Sequence, residues 1–172
     1  MRPKRDPAPA ADPARFDVAN RLFFRLYQSS NLMHKNGTRA VAAFGSTTQQ
    51  WAVLGALARP HVRRDGMNVK ELIEFLMVSR QNLAAVLDRL EARGWIEKIK
   101  DAADGRSRRS HLTPKGIEVW DRMQEPIGDF YGAALAPLTE DEQVLLYRLL
   151  DRLRDGLASL GGGDDRDAAA DD

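Results

Sequence analysis

The sequence predicts a mainly α-helical fold with one small β-hairpin set among the helices, and three observations carry that prediction. Apolar residues recur three and four apart over most of the chain between Phe16 and Leu160, the period of helices with one buried face. Two of these helical patterns are separated only by the short stretch "MVS" at Met77–Ser79. Just beyond them, the strand-like segments "WIEKIK" and "SHLT" flank an arginine-rich, glycine-containing loop, as the arms of a hairpin would.

The chain's 172 residues, 43% of them apolar, suffice for a core of ordinary domain size without metal or disulfide staples. It contains no cysteine, which excludes thiolate zinc sites, disulfides and thiol catalysis and suits a reducing compartment. No run of about 18 apolar residues and no signal-peptide pattern is visible, so a soluble cytoplasmic protein with no membrane partner is expected. The net charge of +1 hides an asymmetry. Residues 1–60 carry 9 basic and 3 acidic side chains, residues 61–116 carry 12 and 8, and residues 117–172 carry 5 and 14. Basic charge in the first two thirds leaves room for a polyanionic partner.

Residues 1–15, rich in Pro and Ala, and the acidic stretch 161–172 read as flexible tails, because neither buries enough apolar surface to offset its ordering entropy. Between them the first helix runs from Phe16 to about Lys35, with Leu22, Phe23 and Leu26 in its apolar stripe, and is expected to end at Gly37 and Thr38. Thr47 or Thr48 caps a second helix reaching roughly Arg59, with Trp51, Leu54 and Leu57 facing inward, and Pro60 stops it. Asn68 and Glu71 form a capping pair for a short third helix that buries Val69, Leu72, Ile73 and Leu76. Ser79 caps a fourth helix with Leu83, Val86, Leu87 and Leu90 on one face, and Gly94 ends it in a left-handed conformation. This is helix-turn-helix spacing.

Thr113 and Pro114 open a fifth helix carrying Ile117, Trp120 and Met123, with a kink expected at Pro126 and Gly128. The last helix opens at Thr139, with Glu142 three residues on. Its Leu146, Leu150, Leu153, Leu157 and Leu160 form a seam for another helix. A seam this short requires tertiary or subunit packing to hold it.

No catalytic constellation stands out. His34, His61 and His111 are scattered and no acidic cluster has metal-ligand spacing. "DGRSRRS" lacks the pattern that cradles nucleotide phosphates and precedes a strand, not a helix. The chain is therefore read as a non-enzyme with no cofactor. The fourth helix invites a sharper reading, because Arg80, Gln81, Ala84, Ala85 and Asp88 lie off its apolar face, near its start. Arg pairs with guanine and Gln with adenine in the major groove of double-stranded DNA, and alanines let the backbone approach. In the loop, Asp104 can pair with Arg106 and set the turn, leaving Arg108 and Arg109 for phosphates or a narrow minor groove. A hairpin of this kind beside a recognition helix is a wing. A winged-helix module that binds protein rather than DNA is the alternative; the wing arginines argue against it.

The segments "LMVSRQNLAAVLDRLEARGWIEK" and "DGRSRRSHLTPKG", with one helix pair before and two helices after, resemble the MarR family of bacterial winged-helix regulators over about residues 16–160. The resemblance implies a winged helix-turn-helix domain (47–113) fused to a helical dimerisation region (16–46 and 114–160). It implies a homodimeric repressor on a pseudo-palindromic operator, with Ser79, Arg80, Gln81 and Asn82 at the start of the recognition helix, beside the Ala85 already read as DNA-facing, and Asp104 and Arg106 as the wing's acidic-basic pair. It also implies a small-molecule effector. The stretch from Arg25 to Leu57 is similar to members tied to aromatic acid catabolism, which suggests an aromatic acid or its CoA thioester. Met33, His34, Arg39, Phe44, Trp51 and Trp120 supply apolar walls and cations for such a cleft. Two positions depart from the family pattern. Met77 stands where many members have glycine, which predicts a strained turn. Gly105 stands where arginine is frequent, which removes a phosphate contact that Arg109 is expected to replace.

Overall fold

The structure, a computed structural model, describes residues 13–101 and 107–161. Asp104, Gly105 and Arg106, with their expected turn-setting pair, lie outside the described residues, as do residues 1–12 and 162–172 of the expected tails. The chain forms two compact units, one reaching Gly128 and the other starting at Asp129.

In the first unit, helix α1 spans Pro13–Ala40, a one-turn 3-10 helix follows at Ala42–Phe44, and α2 spans Thr48–Ala58. The strand β1 (Met67–Asn68) leads directly into α3 (Val69–Leu76) and α4 (Arg80–Ala92), then β2 (Ile96–Lys100) and β3 (Arg108–Leu112). Helix α5 (Pro114–Leu135) crosses from the first unit into the second, which also holds α6 (Glu140–Gly161). The fold is mainly α with a small antiparallel sheet of order β1-β3-β2.

Helix α1 is longer than its sequence pattern indicates: it starts at Pro13, inside the expected tail, and passes through Gly37 and Thr38. Gly37 is buried and its carbonyl accepts from the Val41 N–H at 3.3 Å, while Thr38 Oγ1 accepts from the Thr48 N–H at 3.3 Å. Packing against the start of α2 outweighs the weak helix preference of Gly and Thr. The left-handed stop comes at Gly45, at φ 60. Helix α2 is capped at Thr47, whose side chain accepts from the Gln50 N–H while Gln50 accepts from the Thr47 N–H, a complete capping box. The Asn68–Glu71 box on α3 is also complete.

The core of this unit gathers Val41, Val53, Leu54, Leu57, Leu72, Leu83, Leu87, Leu90, Ile96 and Met123, all fully buried. Every apolar residue expected on the inner face of α4 is buried. On α3 only Leu72 is fully buried; Val69, Ile73 and Leu76 are half-buried against the core. Truncating a leucine here to alanine costs on the order of 2–5 kcal/mol.

Helix α5 begins as expected, with Thr113 Oγ1 accepting from the Gly116 N–H at 3.0 Å and donating to the Gly94 carbonyl at 2.6 Å. It continues through Pro126 to Leu135. Pro126 has no N–H to offer the Arg122 carbonyl, so the helix forgoes one bond there. In the second unit, Thr139 and Glu142 cap α6 reciprocally, at 2.8 and 3.3 Å. The α6 leucine seam is laid out in the open: Leu146, Leu150, Leu157 and Leu160 are all exposed in the isolated chain.

Candidate nucleic-acid interface

The turn between α3 and α4 carries out what "MVS" suggests. Met77 takes the left-handed conformation, φ 53 and ψ 43, as the C-cap of α3, and Val78 and Ser79 return the chain to start α4. Ser79 Oγ accepts from the Asn82 N–H at 3.3 Å, fixing the first turn of the helix. With Leu83, Val86, Leu87 and Leu90 turned inward, Ser79, Arg80, Gln81, Asn82, Ala84 and Ala85 are all exposed. The face with base-pairing side chains is thus the face offered to solvent.

Two cationic links tie the hairpin to this helix pair. From β2, Lys98 Nζ reaches Glu91 at 2.8 Å and Asp88 at 3.1 Å, both on α4. The hydrogen bond to Glu91 holds the Lys98 ammonium above its ordinary pKa. From β3, Arg109 makes the second link, and it corrects an expectation. Arg108 and Arg109 sit on the strand, paired with Lys100 and Ile99, not in the loop. Arg108 is exposed. The Arg109 guanidinium instead turns inward, with Nε donating to the Asp65 carbonyl at 2.6 Å and Nη2 to the Gly66 carbonyl at 3.0 Å. Nη2 also donates to Glu71 Oε2 at 2.8 Å, and Nη1 to Glu71 Oε1 at 3.3 Å and Asp101 Oδ2 at 3.2 Å. All five N–H groups are engaged, so Arg109 has no donor left to stand in for the arginine that Gly105 displaces.

A cleft of about 340 Å³ opens between α3, α4 and the hairpin, lined by Asn68, Val69, Lys70, Arg80, Ser107 and Arg108. Three cations from three elements converge on it. The sequence reading missed Lys70, because a lone exposed cation on a short helix carries no signal of its own. It also missed β1, whose two residues pair with Ser110 and Arg109 and are too few to show alternation.

The residues expected to line an effector cleft are distributed over α1, the 3-10 turn, α2 and α5. His34 Nδ1 lies 2.9 Å from Thr48 Oγ1, joining α1 to the N-terminus of α2. Phe44 and Trp51 are half-buried against the core. The Arg122 guanidinium stands 5.7 Å over the Phe44 ring. Trp120 packs on Gly55 of α2, where even a Cβ would come to 3.0 Å from the indole. Met33 and Arg39 are exposed on α1. Among the described residues no group of His, Cys, Asp and Glu could hold a metal ion, and no helix is long and apolar enough to cross a membrane.

A solvent-facing second helix of a tight pair, flanked by a hairpin anchored to both helices, defines a winged helix-turn-helix DNA-binding protein. Its comparisons with known proteins agree. Residues 44–107 match the family model described as "MarR family". The chain is 45% identical over 164 residues, 95% of its length and 93% of the relative's, to the "Transcriptional activatory protein BadR" of Rhodopseudomonas palustris. Among solved structures it resembles the PcaV regulator of Streptomyces coelicolor in complex with its natural ligand, at 31% identity and a TM-score of 0.59, over 88% of this chain and 98% of that one. A mutant MarR of E. coli bound to operator DNA shares the fold, at 23% identity and a TM-score of 0.71, over 83% and 99% of the two chains. The chain belongs to the MarR family of transcriptional regulators; it is a DNA-binding regulator and not an enzyme.

Proposed function

We propose that this regulator works in the cytoplasm as a homodimer on a pseudo-palindromic operator and responds to a small aromatic acid or its CoA thioester. The observation that carries the DNA reading is the convergence of Lys70, Arg80 and Arg108 on one cleft beside the exposed start of α4. Phosphates held there would orient the recognition helix, and Arg80 and Gln81 would read base edges, each good contact discriminating by roughly 1–3 kcal/mol. Two-fold symmetry would place half-sites about one helical turn apart. The dimer is supported by the apolar side chains left exposed on α1 and, separately, on α6.

The effector reading rests on the 45% identity to a BadR protein over nearly the whole chain, on the likeness to a regulator crystallised with its natural ligand, and on the aromatic and cationic groups of α1, α2 and α5. An effector held by His34, Arg39, Phe44, Trp51 and Trp120, with Met33 as an apolar wall, would favour a spacing of recognition helices that no longer fits the groove. It can shift that equilibrium only by its differential affinity for the two forms. The expected outcome at the promoter is repression relieved by effector. The name of the BadR relative favours a second reading, in which the bound regulator activates.

Mapping the DNA protected by the purified protein, then repeating with a panel of aromatic acids and CoA thioesters, tests both parts. A symmetric footprint lost or altered with one ligand class is expected. No footprint sinks the DNA reading, and a footprint and thermal midpoint indifferent to the panel sink the effector reading. A reporter assay distinguishes repression from activation.

A further inference from the structure

Arg109 lies next to the proposed DNA surface, yet its guanidinium is fully occupied within the protein. Its five donors reach four places: the Asp65 and Gly66 carbonyls before β1, Glu71 on α3, and Asp101 at the end of β2. The same Glu71 Oε2 that accepts from Arg109 also accepts from the Asn68 N–H at 2.9 Å, so the arginine holds the residue that caps α3. At the other end, the Asp101 N–H donates to the Ser107 carbonyl at 3.0 Å, closing the hairpin beside Arg108. The Arg109 and Asp101 side chains are only 22% and 14% exposed, so water screens this pair weakly.

These partners border the cationic cleft: of its lining residues, Asn68 is joined to the network by the capping bond, Ser107 by the Asp101 N–H, and Lys70 and Arg108 as chain neighbours of Glu71 and Arg109. Without Arg109, the Glu71 carboxylate would lose its guanidinium partner beside the surface that must accept phosphate, and the hairpin would lose the side-chain bonds that Arg109 makes to α3. We propose that Arg109 is a positioning residue of the DNA-binding surface, holding the wing on α3 and offsetting the Glu71 charge so that Lys70, Arg80 and Arg108 meet phosphate without that carboxylate's repulsion of the DNA. This rests on the DNA-binding reading above. Arg109 itself touches no phosphate; its charge is already spent inside the protein.

The test uses the full chain and a duplex selected from random-sequence DNA by the wild-type protein, titrated over a range of salt. Removing a phosphate-binding cation flattens the salt dependence, by about 0.9 in the slope of log K against log salt per phosphate. Arg108→Gln is therefore expected to flatten it. Arg109→Gln is expected to raise Kd by about tenfold with the slope unchanged, the effect of an unmatched charge at an interface rather than of one phosphate fewer neutralised. Glu71→Gln keeps the capping function, since Gln serves in a capping box as Glu does. The double variant R109Q/E71Q is accordingly expected to recover most of the affinity. Circular dichroism accompanies each titration, and Arg109→Lys, judged by the same slope criterion, serves if Arg109→Gln does not fold. A slope that falls as it does for Arg108→Gln makes Arg109 a phosphate ligand and overturns the proposal. So does a double variant no better than R109Q, which would make the role one of scaffold alone. If the wild-type chain selects no duplex, the DNA reading itself falls, and this proposal with it.

Discussion

Met77 holds its backbone at φ 53 with a side chain 65% exposed, so it accepts left-handed strain and buries little in return. A non-glycine residue in that region costs about 1–2 kcal/mol, and glycine's extra unfolded-state freedom offsets about half of it. Met77→Gly is therefore expected to stabilise the fold by about 0.5–1 kcal/mol, read as a higher urea midpoint at unchanged m. Gly116 is the opposite case. A Cβ built there overlaps the Trp95 carbonyl, so α5 approaches the start of β2 closely only because this residue is glycine. Gly116→Ala should destabilise by about 1–3 kcal/mol, the usual cost of overpacking, in the same urea titration. The Met77 strain was legible through the family resemblance, because Met77 stands where many members have glycine. The fate of Arg109 was not. Three arginines in four positions look alike until strand pairing decides which face each one occupies.

Among the elements, those with strong local signals matched their patterns closely. Helix α4 has a capping serine, four apolar residues in register and a terminal glycine, and all of these act as their types suggest. The misjudged end of α1 depended on a tertiary contact: Thr38 and His34 meet Thr48, fourteen or fewer residues away along the chain but on another helix. The two-residue β1 is likewise defined by its partner β3 alone. The start of α6 yields a pH prediction. The Thr139 N–H and hydroxyl bond the Glu142 carboxylate and lower its pKa from the ordinary 4.5. A carboxyl with a lowered folded pKa contributes stability that is present above 4.5 and disappears as pH falls through the lowered value. Wild type is thus expected to lose stability relative to Glu142→Gln as pH drops below 4.5, and a parallel pH course for the two proteins would refute the role.

For the molecule as a whole, each unit leaves apolar surface that its own residues do not cover. In the first unit Phe16, Phe23, Phe24 and Tyr27 of α1 are exposed; in the second, Leu146, Tyr147, Leu150 and Leu160 of α6 are. Burying one such leucine is worth about 1.5–3 kcal/mol, so a charge placed in the seam should oppose association strongly. Sedimentation is expected to give a dimer of the 19.2 kDa chain for wild type and a monomer for Leu150→Asp. The monomer should bind a single half-site weakly. Equal masses for the two proteins would remove α6 from the interface. The seam's period was readable in sequence, but its exposure required the folded chain.

The middle position of β3 in the sheet has a consequence for how such proteins can change over generations. Because adjacent residues on a strand point to opposite faces, Arg109 and its clamp lie on one face of β3 while exposed Arg108 shares the other with buried Ser110 and half-buried Leu112. Substitution can alter either residue alone, whereas inserting or deleting one residue between Arg109 and Leu112 would exchange the two faces, bringing Arg108 toward the carboxylates and turning the clamp toward the side that Ser110 and Leu112 bury. This short strand should therefore tolerate changes of length in twos far better than in ones.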